Sequence, residues 1–195
     1  MKRVVAVALA LGLSLSLSAC GANDPLAEQF KKGDNKNYIA GDGSVTEFSD
    51  VASRKTGAAW TSTTAEGKTL RSSELDGKVV VLNFWYAGCA PCRAETPDLD
   101  KLAKEFADQG VVVLGVDVRD SAETALAFNR KQNISYPSVM DAENGDVVLA
   151  YTGIVTPDAV PTTLVLDAQG RVAARVIGRI EPSILKTLIK AEVNR

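Results

Sequence analysis

The stretch Lys78-Val79-Val80-Val81-Leu82-Asn83-Phe84-Trp85-Tyr86-Ala87-Gly88-Cys89-Ala90-Pro91-Cys92 decides how this chain is read. Its first eight residues are almost continuously apolar and rich in β-branched side chains. That is the pattern of a strand buried on both faces of a helix-covered sheet. Its last four residues hold two cysteines two residues apart, with a proline near a helix start. Beyond them Leu99, Leu102, Ala103 and Phe106 recur at helical spacing until Gln109-Gly110 ends the pattern. A strand therefore runs into the cysteine pair and a helix runs out of it. Pro97 falls inside that helix and predicts a kink or a break.

The placement has chemical consequences. A helix N-terminus carries unpaired N–H groups and a partial positive charge, and both favour a thiolate over a thiol. The first cysteine, Cys89, is therefore the expected nucleophile, with a lowered pKa. Cys92, one turn further in and expected to be more buried, would resolve a mixed disulfide by attacking Cys89. Pro91 removes a donor that the first turn does not need, and Ala90 adds neither charge nor hydrogen bond. The spacing alone also fits half a zinc site or an inert structural disulfide. Zinc usually takes four ligands, and the chain has no histidine and no second cysteine pair, so no metal is expected. A loop this short constrains the unfolded chain only weakly, which argues against a purely structural bridge. The missing histidine also excludes Ser–His–Asp and Cys–His catalysis. No cofactor beyond the dithiol is expected.

Working outward, residues 58–62 and 68–70 suggest a hairpin around Ala65-Glu66-Gly67-Lys68. Residues 111–118 read as a second buried strand. Asp120-Ser121-Ala122-Glu123 resembles a helix cap, with a helix to about residue 132. Residues 163–166 and 171–177 read as two strands joined by the turn Asp167-Ala168-Gln169-Gly170. Pro182 opens a last helix with Ile184, Leu185, Leu188 and Ile189 on one side. Strands and helices alternate first and a strand pair comes late. The expected class is α/β, with a mixed central sheet and helices on both faces. The 195 residues, 46% of them hydrophobic, suffice for one globular domain.

The third cysteine is explained by the N-terminus. Met1-Lys2-Arg3 is positive, residues 4–17 are largely apolar, and Leu17-Ser18-Ala19-Cys20-Gly21 follows. This is the plan of a secretory signal, shorter than a membrane-spanning helix. Its end resembles the bacterial lipobox, which implies cleavage before Cys20 and lipidation of its sulfur. An ordinary signal peptide and an uncleaved anchor are the alternatives, and all three place the rest outside the cytoplasm, where disulfides persist. The expected division is signal 1–19, lipidated N-terminus and flexible tether 20–44, and domain 45–195. Without residues 1–19, 20 basic residues face 24 acidic ones, so nucleic acid is not an expected partner.

The segment Asn83 through Pro97, with Cys89-Ala90-Pro91-Cys92 inside it, resembles the active-site stretch of the TlpA/ResA-like branch of thioredoxin-fold proteins. The resemblance spans roughly residues 60–192, by order of elements. It implies a thioredoxin-like fold with an N-terminal β-hairpin extension. Ala159-Val160-Pro161-Thr162-Thr163-Leu164 is similar to that family's cis-proline loop. This implies a cis Pro161 facing the cysteines, with the Val160 backbone pairing to a substrate strand and Trp85 and Gly88 on the substrate side. Glu95 matches a family glutamate three residues after the second cysteine, which implies a part in proton transfer. A first-turn acid favoured by the helix dipole is the other reading. Asn83 stands where thioredoxin has a buried acid, and an amide cannot shuttle a proton. Two positions depart from the family: Gly88 where tryptophan is common, and Tyr86 where a small residue is usual.

The resemblance implies a membrane-anchored, extracytoplasmic thiol–disulfide oxidoreductase, acting as a reductase of protein disulfides. Apocytochrome c is the implied substrate, and a membrane thiol protein the implied electron donor. A thioredoxin-fold peroxidase and a non-enzymatic lipoprotein adaptor are the alternatives. The peroxidase would want Thr or Ser three residues before its cysteine, where Cys89 has Tyr86.

Overall fold

The computed structural model describes residues 43–155 and 159–195. The signal 1–19, Cys20 and the tether to residue 42 lie outside the described residues. Eight strands form one sheet: β1 Ser44–Glu47, β2 Thr61–Thr64, β3 Thr69–Arg71, β4 Val80–Trp85, β5 Val112–Asp117, β6 Ser138–Met140, β7 Thr162–Leu166 and β8 Val172–Ile177. Their order is β1-β8-β7-β4-β5-β6-β2-β3. Pairs β4–β5 and β5–β6 are parallel and the others antiparallel, so the sheet is mixed, as the element order implies. Four helices complete the domain: α1 Ala90–Phe106, α2 Ala122–Gln132, α3 Asp146–Ala150 and α4 Pro182–Val193.

All six residues of β4 are buried, because both faces of the sheet are covered. Val80, Leu82 and Phe84 point into a core with Leu114, Val116, Leu164, and Val147 of α3. Val79 and Val81 point the other way, among Val113, Val165, Leu99 and Phe106 of α1, and Leu185 and Ile189 of α4. This alternation puts the redox helix α1 beside the C-terminal helix on one face. Ala125 and Phe128 are the buried residues of α2, and the Phe128 ring lies 4.9 Å from that of Trp85.

Several sequence expectations need correction. Ser44, which the sequence assigns to the tether, is the first residue of β1. The hairpin strands begin at Thr61 and Thr69 rather than at 58 and 68, and β2 pairs with β6, which makes the hairpin an edge of the main sheet. Helix α1 runs through Pro97 without a break. Pro97 and Arg93 are both exposed, so the proline interrupts the helix ladder on its outer side, while Glu95, Thr96 and Leu99 are buried and anchor the helix to the core. Strands β1 and β6 and helix α3, of three to five residues, were not expected; they are too short to show a period.

The N-terminal segment is fastened to the C-terminal helix by Arg54. Its Nη1 and Nη2 donate to the two carboxylate oxygens of Glu192 at 2.7 and 2.8 Å. Nη1 also meets Asp167 at 3.0 Å, and Nε donates to the Phe48 carbonyl at 2.7 Å. The Arg54 side chain is only 2% exposed. Among the described residues no helix is long and apolar enough to cross a membrane.

Candidate active site

Strand β4 ends at Trp85, a short loop follows, and Cys89 caps α1. Cys89 and Cys92 form a disulfide, with Cα atoms 5.3 Å apart. The Cys89 sulfur accepts the Cys92 N–H at 3.2 Å, taking one of the donors that the first turn leaves open. Pro91 sits within that first turn. The sequence predicts that Cys92 is the more buried of the two. The structure corrects this: Cys89 is 0% and Cys92 1% exposed in the disulfide form. Exposure therefore does not rank them, and helix position does, since only Cys89 stands at the cap.

The Val160–Pro161 peptide is cis. Antiparallel pairing sets Thr162, the first residue of β7, opposite Phe84 near the end of β4. The cis-proline loop and the cysteine loop thus leave the sheet at the same end. The Pro161 carbonyl accepts the Gly178 N–H at 2.7 Å, and the Thr162 hydroxyl donates to the Ala159 carbonyl at 2.6 Å, fixing the loop on both sides.

Glu95 is completely buried, three residues beyond Cys92 on the inner stripe of α1. It is not in the first turn, which has no acid, so a simple helix-dipole explanation fails. Its Oε1 accepts from Asn83 Nδ2 at 2.8 Å and its Oε2 from the Ile180 N–H at 2.8 Å. Asn83 Nδ2 also donates to the Thr163 hydroxyl at 3.0 Å. Burial pushes the Glu95 carboxyl up to about 7, against the pull of the Ile180 and Asn83 donors and the Arg179 charge. A carboxyl titrating near neutrality is matched to accepting and returning a proton. Asn83 is thus tied directly to the acid, a pairing across twelve residues that helix and strand periods do not reveal.

The same shift has a stability consequence. The folded protein binds the Glu95 proton more tightly than the unfolded chain, whose value is near 4.5. The stabilisation is complete below that value and lost as pH rises through about 7. Denaturant midpoints of the oxidised protein are therefore expected to fall across that window. Glu95→Gln should flatten part of the fall, while lowering stability by about 1–3 kcal/mol through donors left facing its amide. An unchanged slope in Glu95→Gln would contradict the assignment.

The residues expected on the substrate side divide. Gly88 is exposed. Val160 is 1% exposed, so its side chain is part of the core. Trp85 is 4% exposed and its ring packs on Phe128, so it supports the loop from beneath and offers no contact surface. A Cβ on Gly115 would come within 2.8 Å of Trp85 Nε1, so the absent side chain leaves room for the indole. The two family departures prove to be one feature. A Cβ at position 88 would lie 3.1 Å from Cε2 of Tyr86, so the Tyr86 ring occupies the space beside Gly88. The Arg119 guanidinium stands 4.6 Å from the centre of that ring. Arg119 carries no local signal in the sequence, because it comes from the turn that follows β5.

Comparison with known proteins agrees with this geometry. The AhpC/TSA family profile matches residues 54–175. The thiol-disulfide oxidoreductase ResA of Bacillus subtilis (strain 168) is 32% identical over 147 residues, 75% of this chain and 76% of that protein. A secreted thiol-disulfide isomerase from Corynebacterium glutamicum superposes with a TM-score of 0.72 at 29% identity, covering 82% of this chain and 98% of that one. A DsbF homologue from Corynebacterium diphtheriae gives 0.68 at 29% identity, covering 77% and 94%. With its thioredoxin-like fold and its Cys89–Cys92 disulfide at a helix N-terminus, the chain belongs to the AhpC/TSA family and, within it, to the ResA-type thiol–disulfide oxidoreductases.

Proposed function

We propose that this oxidoreductase is a lipid-anchored, extracytoplasmic reductase of protein disulfides, with Cys89 as nucleophile and Cys92 as resolving thiol. The observation that carries it is the cysteine pair at the α1 N-terminus with the buried Glu95 one turn behind. In the reduced form the Cys89 thiolate attacks one sulfur of a substrate disulfide. That bond breaks, and the departing substrate sulfur takes up a proton. Cys92 then gives its proton to Glu95 or to water and attacks Cys89. The Cys89–Cys92 disulfide forms, and the second substrate sulfur leaves and is protonated. Two electrons pass from the dithiol to the substrate. The exposed Gly88 and the backbone of Val160 at the cis-proline loop are the proposed substrate contacts.

The reducing direction is favoured by what surrounds the thiolate. Residues 79–92 carry no charged side chain, so the helix terminus and the cap are the chief local aids to the reduced form. A strongly oxidising dithiol requires a much more stabilised reduced form. The Leu17-Ser18-Ala19-Cys20 ending supports a lipid anchor at Cys20. The haem-attachment cysteines of apocytochrome c are the proposed substrate class, and a membrane thiol protein the proposed electron donor. The reduced full-length protein, mixed with an oxidised peptide carrying those two cysteines, should become Cys89–Cys92 disulfide as the peptide gains two thiols. Net transfer from reduced peptide to oxidised protein would contradict the direction. Cys20→Ala should leave the membrane fraction and keep this activity; retention on the membrane would contradict the anchor.

A further inference from the structure

The loop between β4 and α1 is held from behind by two carboxyl groups that the exchange chemistry does not use. Asp117 ends β5 opposite Trp85 and is completely buried. Its Oδ1 accepts the Asp120 N–H at 2.8 Å and the Arg119 N–H at 3.1 Å, which curls residues 117–120 into a tight turn. The turn sets Asp120 next to Asp117, where its carboxyl acts on the Asp117 carboxyl. Asp117 Oδ2 is buried and accepts from no donor among the described residues. Asp120 Oδ2 accepts the N–H of Ala87, two residues before Cys89, at 2.5 Å. The Val118 N–H also bonds to the Trp85 carbonyl at 3.1 Å, so the redox loop is tied at two nearby points.

A completely buried carboxylate and a half-buried one beside it repel, and they are stable together when one proton lies between them. That proton also gives the orphaned Asp117 oxygen its hydrogen bond. We propose that Asp117 and Asp120, sharing one proton, are the positioning pair of the redox loop: they fix Ala87 and, through it, Cys89 at the head of α1. The inference rests on the reading of Cys89 as the reacting group. It is consistent with Asp117 being pushed up to about 7, by burial first and by the Asp120 carboxyl, against the two backbone donors. When Asp117 loses its proton, the half-buried Asp120 turns toward water and Ala87 is released.

Arg119 lies on the same turn, its guanidinium over the Tyr86 ring. Asp141, after β6, donates its N–H to the Asp117 carbonyl, but its carboxylate accepts from Val147 and Val148 of α3. Glu123 in the first turn of α2 is exposed. The loop itself brings no charged side chain.

The test follows the Ala87 amide proton shift in the full-length protein from about pH 5 to about pH 9. A step near neutrality is expected in the wild type and in Glu95→Gln. Asp120→Asn should show none, because its amide supplies both the donor to Asp117 and the acceptor for Ala87. Asp120→Ala should slow disulfide exchange roughly tenfold or more, and Asp120→Asn should restore it. A flat Ala87 shift in the wild type, or a step that vanishes in Glu95→Gln, overturns the pair. Wild-type exchange rates in Asp120→Ala overturn its positioning role. An Ala87 step in a protein that does not exchange disulfides supports the pair and sinks the redox reading instead.

Discussion

Cys89→Ser is expected to abolish disulfide exchange, whereas Cys92→Ser should stop it halfway with substrate still attached. Serine keeps the shape of the site and removes the sulfur that must attack. At position 89 no mixed disulfide can then start. At position 92 the first step remains, because Cys89 keeps its cap position and the donors of the first turn. The resolving attack is gone, so the covalent complex accumulates. Non-reducing electrophoresis with a protein disulfide substrate reads both outcomes: no adduct for Cys89→Ser and a stable adduct for Cys92→Ser. The reverse pattern would exchange the two roles. Unchanged turnover in both variants would remove the enzyme reading and leave the adaptor.

Arg54→Ala is expected to produce the largest loss of stability, about 3–5 kcal/mol, because it strands buried charge. Glu192 holds Arg54 through both carboxylate oxygens, and among the described residues its other ion-pair partner is the half-exposed Arg195 at 3.3 Å. Asp167 is better insured, since the Nε and N–H of Arg171 and the N–H of Gln169 also bond to it. Removing the guanidinium therefore leaves the Glu192 carboxylate most exposed to the penalty, and α4 loosens where it meets the N-terminal segment. Denaturant titration of the oxidised protein measures the loss. A change below about 1 kcal/mol would show that water screens the pair as it does a surface one. Glu192→Gln should reproduce much of the effect.

The sequence discloses the parts of this fold that repeat or that punctuate. The runs that become β4 and β5 are long enough to declare buried strands, and Cys89, Pro91 and Ser121 mark helix starts where the helices do start. Strand β6 and helix α3 have too few residues to show a period, so they became legible only through pairing with β5 and burial of Val147. Pro97 misleads because local propensity favours a break, while the buried flank from Cys92 to Phe106 holds the helix together. The candidate site shows the same division. The cysteines are named by their spacing, and Glu95, their neighbour in sequence, by the family resemblance. What fixes them is remote: Ile180 reaches Glu95 across 85 residues, and Asp120 reaches Ala87 across 33. Those partners follow from strand order, which no local pattern encodes. Trp85 illustrates the limit: its place beside the motif suggests a contact surface, but Gly115 across the β4–β5 pair gives its ring a buried slot.

The most direct test of the central claim is the reduction potential of the Cys89–Cys92 couple in the full-length protein, equilibrated with dithiothreitol or glutathione buffers. A value near or below that of thioredoxin, about −270 mV, is expected of a reductase. A value near −120 mV, that of a strong oxidant, would contradict the claim.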